Sequence, residues 1–377
     1  MRIAIDSRFL LPHLEGFGRF TKEVASRLVR QHPEVEWDLL FDRKPLPRYH
    51  FGTAQKSIVL PPQTRHWSLY EVWWRISVPF YLQRRRPSAL FATYGIISNT
   101  VGKRVPTAAF IHDLGFVRYP EFIPRGWWRY YMQAMGAAVR HSRILIANSQ
   151  SVLADLVELF GAEASRIKVA YNGCDTEFFR PLPDLDAEAI RRRYAGGYPY
   201  LLYVGSIHPR KNPERLLEAY DLLRRRYTEP LRLLFVGRFM FGKSETLGYL
   251  SKMKHAEEVL FHPPVQDEEL RNLYNASAAV VYPSLYEGFG YPVVEALACG
   301  AAVVTSSVSS LPEVGGEAAF YADPYDPASI AEAIYRALTQ SPEEKSRRAE
   351  LGRAHVQQFS WERTTQVIWE SLKAIAS

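Results

Sequence analysis

Tyr282-Pro283-Ser284-Leu285-Tyr286-Glu287-Gly288-Phe289-Gly290-Tyr291-Pro292-Val293-Val294-Glu295-Ala296-Leu297-Ala298-Cys299-Gly300 joins the end of an apolar strand to a glycine loop and then to a helix. Gly288 and Gly290 permit a tight turn and close backbone approach, and the helix that follows offers unpaired N–H groups to a phosphate lying over it. Glu287 stands on the loop and Glu295 within the helix. The seven residues between them let the two acids reach different parts of one extended ligand, such as a sugar and a ribose.

Outward from this junction the same pattern repeats. Tyr200–Val204, Leu231–Val236, Ala278–Tyr282 and Ala301–Thr305 read as buried strands separated by helical patterns, which implies a parallel α/β sheet. Ile3–Ile5, Thr107–Ile111 and Ile144–Ala147 imply a second such sheet in the first half, with polar or glycine residues after each strand, where open α/β sheets bind ligands. Arg180-Pro181-Leu182-Pro183-Asp184-Leu185-Asp186 has the composition of a linker. The expected organisation is one domain over 1–180, a second over 181–360, and a closing helix over 361–377 that returns to the first. At 377 residues two domains of ordinary size are expected.

The quoted stretch resembles glycosyltransferase family 4, the retaining enzymes of the GT-B fold, whose E-x7-E motif falls on Glu287 and Glu295. Ser309-Ser310-Leu311-Pro312-Glu313-Val314 is similar to the same family. The resemblance implies two Rossmann-like domains with parallel sheets facing a cleft, the second binding a nucleotide sugar and the first its acceptor. It also implies that Glu287 meets the transferred sugar, that Glu295 meets the ribose hydroxyls, and that the N–H groups of Phe289 and Gly290 reach the sugar or diphosphate. Independently, a carboxylate is a bidentate acceptor suited to paired hydroxyls.

Gly205-Ser206-Ile207-His208-Pro209-Arg210-Lys211-Asn212-Pro213 sets two cations at a helix start, where the helix dipole favours anions. A bound diphosphate would supply the negative charge. In the family an arginine often follows this glycine; here Ser206 takes its place, so phosphate neutralisation falls to Arg210 and Lys211. Glu15-Gly16-Phe17-Gly18-Arg19-Phe20 resembles the family's N-terminal glycine loop, and Ile111-His112-Asp113-Leu114 its element in which the histidine contacts the donor sugar or phosphate; a plain turn and a core histidine are the structural alternatives. Val265 matches the loop that lines the base pocket, and Asn172-Gly173-Cys174-Asp175 is read as structural. The resemblance is strongest to bacterial mannosyltransferases of polysaccharide assembly, which implies GDP-mannose as donor, with UDP-glucose and rhamnosyl donors as alternatives.

Two patterns imitate other chemistries. Gly237-Arg238-Phe239-Met240-Phe241-Gly242-Lys243-Ser244 fits a phosphate-binding G-x-x-x-x-G-K-S loop, but its bulky interior suits a phosphate cradle poorly. Asp184-Leu185-Asp186 mimics a metal-binding D-x-D within the linker. No acid or histidine cluster calls for a metal, so the basic residues are expected to serve the diphosphate, and no cofactor is expected.

Apolar residues make up 47% and charged residues 23%, as in a globular protein. The net charge of +7 is uneven: residues 1–180 carry 25 Lys and Arg against 15 Asp and Glu, while 181–377 carry 22 against 25. The basic half is expected to face something acidic: an anionic lipid surface and nucleic acid would both attract it, a solvated face without a partner is the plain alternative, and no nucleic-acid partner is expected. A sugar-phosphate-binding or nucleic-acid-binding protein without transfer activity is the alternative from another class; the paired acids argue against it. Aromatic and basic residues cluster at Trp67, Tyr70, Trp73, Trp74, Arg75 and Arg84–Arg86, and at Trp127–Tyr131; core packing and peripheral contact with lipid headgroups both fit. Two cysteines make no disulfide framework, and the start lacks the apolar run of a signal peptide, so the expected location is the cytoplasm or the inner face of its membrane.

Overall fold

A computed structural model describes every residue except His13, Glu15, Phe241 and Ser377. The chain divides into two compact units, Met1–Gly173 with Phe359–Ser377, and Cys174–Gln358. The division falls at Gly173 and Cys174, ahead of the proline-bearing stretch that reads as a linker.

The first unit is built on seven strands: β1 (Arg2–Asp6), β2 (Glu36–Phe41), β3 (Gln55–Val59), β4 (Ala89–Ala92), β5 (Thr107–Ile111), β6 (Ile144–Ala147) and β7 (Ile167–Val169). They pair in parallel in the order β3-β2-β1-β4-β5-β6-β7. In the second unit, β8 (Tyr200–Val204), β9 (Arg232–Val236), β10 (Val259–His262), β11 (Ala279–Tyr282), β12 (Val303–Ser306) and β13 (Phe320–Ala322) pair in parallel as β10-β9-β8-β11-β12-β13. Both orders reverse direction beside their first strand, which is the doubly wound Rossmann arrangement and puts the ligand-binding position outside the carboxyl ends of β1 and β8. The central strands are buried along their length because helices cover both faces, and so their sequences are continuously apolar.

The closing helix, Trp361–Ala376, packs in the first unit with Ile368 and Leu372 fully buried. Thr364 Oγ1 hydrogen-bonds the Tyr171 carbonyl there, and Arg27 Nε reaches Glu362 at 3.0 Å. Gly173 is required at this meeting, since a Cβ would lie 2.4 Å from the Trp361 nitrogen. The aromatic clusters are mainly core. Trp73 and Trp74 are buried within a π-helical turn, Trp73–Ser77, Tyr130 is also buried, and Trp67, Tyr70, Trp127, Trp128 and Tyr131 pack partly buried against them. Among the described residues no helix is long and apolar enough to cross a membrane.

In the second unit the approach of two strand ends fixes one glycine. A Cβ on Gly237 would lie 1.8 Å from the Gly205 carbonyl oxygen, a distance that only backbone movement could relieve. Gly237→Ala is therefore expected to cost about 2–4 kcal/mol of stability. Gly248, inside helix Lys243–Leu250 with open space around its α-carbon, is the control; Gly248→Ala should add up to about 1 kcal/mol. Urea unfolding of the two variants reads both signs.

Candidate functional site

At the end of β8 the chain turns through Gly205, whose φ of 131° suits only glycine, and its amide donates to the Val236 carbonyl at 3.0 Å. Tyr203 Oη anchors the Ser206 carbonyl at 2.9 Å. His208 then accepts the Arg210 amide on Nδ1 at 3.1 Å, fixing a short turn over Pro209–Lys211. Burial, reinforced by Arg210 and Lys211, lowers the pKa of His208 to about 4, so its ring is neutral and can accept that bond at pH 7. Asn212 is buried in the left-handed conformation, and its amide donates to the carbonyls of Pro283 at 3.0 Å and Pro324 at 2.6 Å. Helix Pro213–Arg224 begins directly after it, so both cations precede the helix as its sequence implies.

These turns bring Arg210 and Lys211 onto Glu287. Lys211 Nζ hydrogen-bonds one carboxylate oxygen, and Arg210 Nη1 lies 3.4 Å from the other and 2.5 Å from the Tyr286 carbonyl. The Leu285 amide donates to the Arg210 carbonyl at 2.9 Å, tying the two loops together. Lys211 also bonds the hydroxyl of buried Tyr282 and stands 5.0 Å from the centre of its ring. Burial would raise the Glu287 pKa, but Lys211 and Arg210 outweigh it and hold the carboxyl at about 2. Two cations against one carboxylate leave the cluster with an excess positive charge.

The loop carrying Glu287 is held from behind. Its amide donates to Ser309 Oγ at 3.0 Å, and Ser310 Oγ donates to the carbonyls of Glu287 and Phe289 at 3.0 and 2.8 Å. Gly290, with φ 109°, opens helix Tyr291–Ala298, and a Cβ there would meet Leu311 at 2.9 Å. Gly288 and Phe289 are buried beside it. Glu295 lies on that helix, 4% exposed, and accepts the Tyr274 hydroxyl at 3.0 Å. Val265 sits half-buried in the loop between β10 and helix Asp267–Ala276. Tyr282, Ser309 and Ser310 position this site, yet only their place in family-like stretches marked them in the sequence; hydroxyls that support a loop leave no periodic signal.

The imitators resolve as structure. In the G-x-x-x-x-G-K-S stretch the Gly237 amide donates to the His262 carbonyl at 2.9 Å and the Met240 amide to the Ile207 carbonyl at 3.0 Å, so these amides prolong sheet pairing. Phe241 lies outside the described residues. Asp186 caps helix Ala187–Ala195 by accepting the Ala189 amide at 2.9 Å.

In the first unit, helix Gly16–Gln31 starts at Gly16, and Gly18 packs so closely that a Cβ would lie 2.6 Å from the Phe9 carbonyl oxygen. Open space surrounds the Gly16 α-carbon. His112, at the end of β5, sits among Phe17, Phe20 and Phe110 with ring centres 4.8 to 4.9 Å away. Its Nε2 donates to the Thr93 carbonyl at 2.8 Å, which leaves Nδ1 as the acceptor of the neutral ring. Burial lowers its pKa to about 4. Asp113 accepts the Gly115 amide at 3.0 Å and so holds the following turn.

Because the folded pKa of Glu287 is depressed, its stabilisation is full above the ordinary carboxyl value of 4.5 and is lost as pH falls toward about 2. Glu287→Gln is expected to lower stability at pH 7 by about 3 kcal/mol, a gap that closes toward pH 2. Denaturant unfolding across this range measures it; a gap independent of pH would mean that the carboxylate charge does not hold the two loops.

Residues 14–178 match the family described as Glycosyltransferase Family 4, and residues 186–355 match Glycosyl transferases group 1. The O-antigen chain mannosyltransferase B of Escherichia coli is 33% identical over 263 residues, covering 68% of this chain and 68% of that protein. The D-inositol 3-phosphate glycosyltransferase of Gordonia bronchialis is 32% identical over 242 residues, covering 60% of this chain but 51% of that protein. Among solved structures, Anabaena HepE in complex with UDP-glucose superposes with a TM-score of 0.76 at 18% identity, over 99% of this chain and 100% of that one. The two parallel sheets, the Glu287 loop and these similarities agree: the chain is a glycosyltransferase of GT-B fold and belongs to glycosyltransferase family 4.

Proposed function

We propose that this chain moves mannose, with retention, from GDP-mannose to a hydroxyl of a glycan or lipid-linked acceptor in polysaccharide assembly, without a metal ion or other cofactor. The observation that carries this reading is the pairing of buried Glu287 with Lys211 and Arg210 at the carboxyl end of β8, beside the start of helix Tyr291–Ala298. The excess positive charge there suits the diphosphate of a nucleotide sugar.

In this reading the bond from the sugar's anomeric carbon to the diphosphate breaks while the acceptor oxygen bonds that carbon on the same face. The acceptor's proton passes to the departing phosphate oxygen. Negative charge then grows on the diphosphate, where Lys211 and Arg210 stabilise it without reorganising, because the protein has already fixed them. Glu287 orients Lys211 and presents its carboxylate to the sugar hydroxyls, and Glu295 serves the ribose. In the first unit, neutral His112 offers Nδ1 to a hydroxyl. Mannose as the transferred sugar draws on the E. coli relative named a mannosyltransferase. The UDP-glucose held by the Anabaena neighbour supports glucosyl transfer as the second reading.

Thermal unfolding with GDP, UDP or dTDP, each with and without magnesium, tests the donor. GDP should raise the midpoint most, and magnesium should add nothing. A UDP preference would replace mannosyl by glucosyl transfer, and no shift with any nucleotide would sink the donor-binding reading. Lys211→Ala should lower transfer by about 100- to 1000-fold, measured as nucleotide diphosphate released with acceptor present, at a temperature where circular dichroism shows the variant folded despite the stability lost at Glu287.

A further inference from the structure

The core aromatics of the first unit leave an unusual surface on their outer side. The helical segment from Trp67 to Arg85 buries Trp73, Trp74, Val78, Tyr81 and Leu82 and turns Val72, Ile76 and Phe80 outward, each four residues from the last. These three are 39%, 64% and 52% exposed. Spaced four residues apart on a helix, the three side chains line one face and present their apolar surface together.

The charge around the row is basic. Between Glu71 and Asp113 the sequence holds no acid, while Arg75, Arg84, Arg85, Arg86, Lys103 and Arg104 are all basic. Arg75, Arg84 and Arg86 are exposed on the same segment, and the Arg84 guanidinium lies 4.3 Å from the centre of the Phe80 ring, an apolar and a cationic group presented together. Arg85 differs, since it turns inward to Asp38 at 2.9 Å. Arg75 pairs with Glu71, and both line a cavity of about 290 Å³ whose walls include Trp74, Ile97 and Ala137, with Arg140 as a second cation. Lys103 and Arg140 bear together on His141 at the C-terminal end of helix Arg125–His141.

We propose that this face seats the protein on an anionic phospholipid surface, with Val72, Ile76 and Phe80 entering the boundary of the acyl region and Arg75, Arg84, Arg86 and Arg140 meeting headgroup phosphates. The cavity lined by Arg75 and Arg140 then receives one headgroup, its phosphate meeting Arg140 and competing with Glu71 for Arg75. Apolar side chains inserted among phosphates and arginines around them are the two contributions that hold an interfacial helix. The inference goes beyond the transfer reading and needs no donor or acceptor to test.

The experiment is sedimentation of the full chain with vesicles of phosphatidylcholine alone or containing about one third phosphatidylglycerol. The protein should bind the anionic vesicles only, and more weakly as salt rises. Ile76→Glu with Phe80→Glu should weaken binding about tenfold or more, while the melting midpoint and the response to GDP stay as in the parent. Arg84→Ala with Arg140→Ala should weaken binding and reduce its salt dependence. Equal binding to neutral vesicles, no binding to anionic ones, or unchanged binding of the glutamate variant would each overturn the proposal. So would a dimer in sedimentation velocity that the glutamate variant dissociates, since a second copy would then cover the row. Should the double variant unfold, Ile76→Ser alone, at a side chain 64% exposed, carries the test.

Discussion

A buried carboxylate between two cations sets the terms for the second unit. Glu287 is 6% exposed, and no charge is stable at that depth unless partners repay its lost hydration. Lys211 and Arg210 do so, and each must therefore be delivered to one place by a loop of its own. That requirement accounts for the left-handed Asn212, the neutral cap at His208, the hydroxyls of Ser309 and Ser310 behind the Glu287 loop, and the Tyr282 hydroxyl beneath Lys211. All but Tyr282, the last residue of β11, lie in loops that follow parallel strands, where the fold leaves backbone free to depart from regular structure.

The first unit solves a similar problem with a different outcome. At the end of β1, Asp6 and Arg8 form a buried bidentate pair at 2.7 and 2.8 Å, and the Arg8 guanidinium lies 4.1 Å from the Trp73 ring centre and 4.9 Å from that of Tyr70. One acid meets one cation, and aromatic faces take the remaining electrostatic demand. That pair is balanced and enclosed, which suits a structural fastening between strand and helix. The Glu287 cluster instead sets two cations against one acid, at the carboxyl ends of two strands.

Much of this was legible in the sequence, for physical reasons. Strands buried on both faces read as apolar runs, so β5, β6, β8 and β11 are visible within a residue or so of their ends. The strand β2 is less visible because it carries the fully buried Asp38, and nothing local shows that Tyr81 and Arg85 will arrive from more than forty residues away. The acids and cations of the site stand out because their spacing around glycines is unusual for structure alone. Their mutual pairing does not, since the contact between Lys211 and Glu287 spans 76 residues and depends on strand order. The exposed row at Val72, Ile76 and Phe80 was hidden too: in a segment dense in aromatic residues, the sequence does not say which apolar face turns inward, and the π-helical turn at Trp73–Ser77 shifts the face midway.

In the proposed reading the charge count at Glu287 also bears on how tightly a donor is held. With Glu287 ionised, the two cations keep only their surplus for a diphosphate; with a neutral residue there, both would attract it, but they would also repel each other before it arrived. Neutralising one of them keeps the folded site stable and directs Lys211 along one line, so that its orientation costs no further entropy when the phosphate charge grows. In that reading the surplus charge attracts the departing diphosphate more strongly than the resting one, because a fixed cation gains more as the charge opposite it increases. An interaction stronger at the barrier than in the bound donor is the kind that accelerates transfer. In the proposed reading the acid at position 287 would then serve the reaction through the geometry and charge of its neighbours as much as through contact with the sugar.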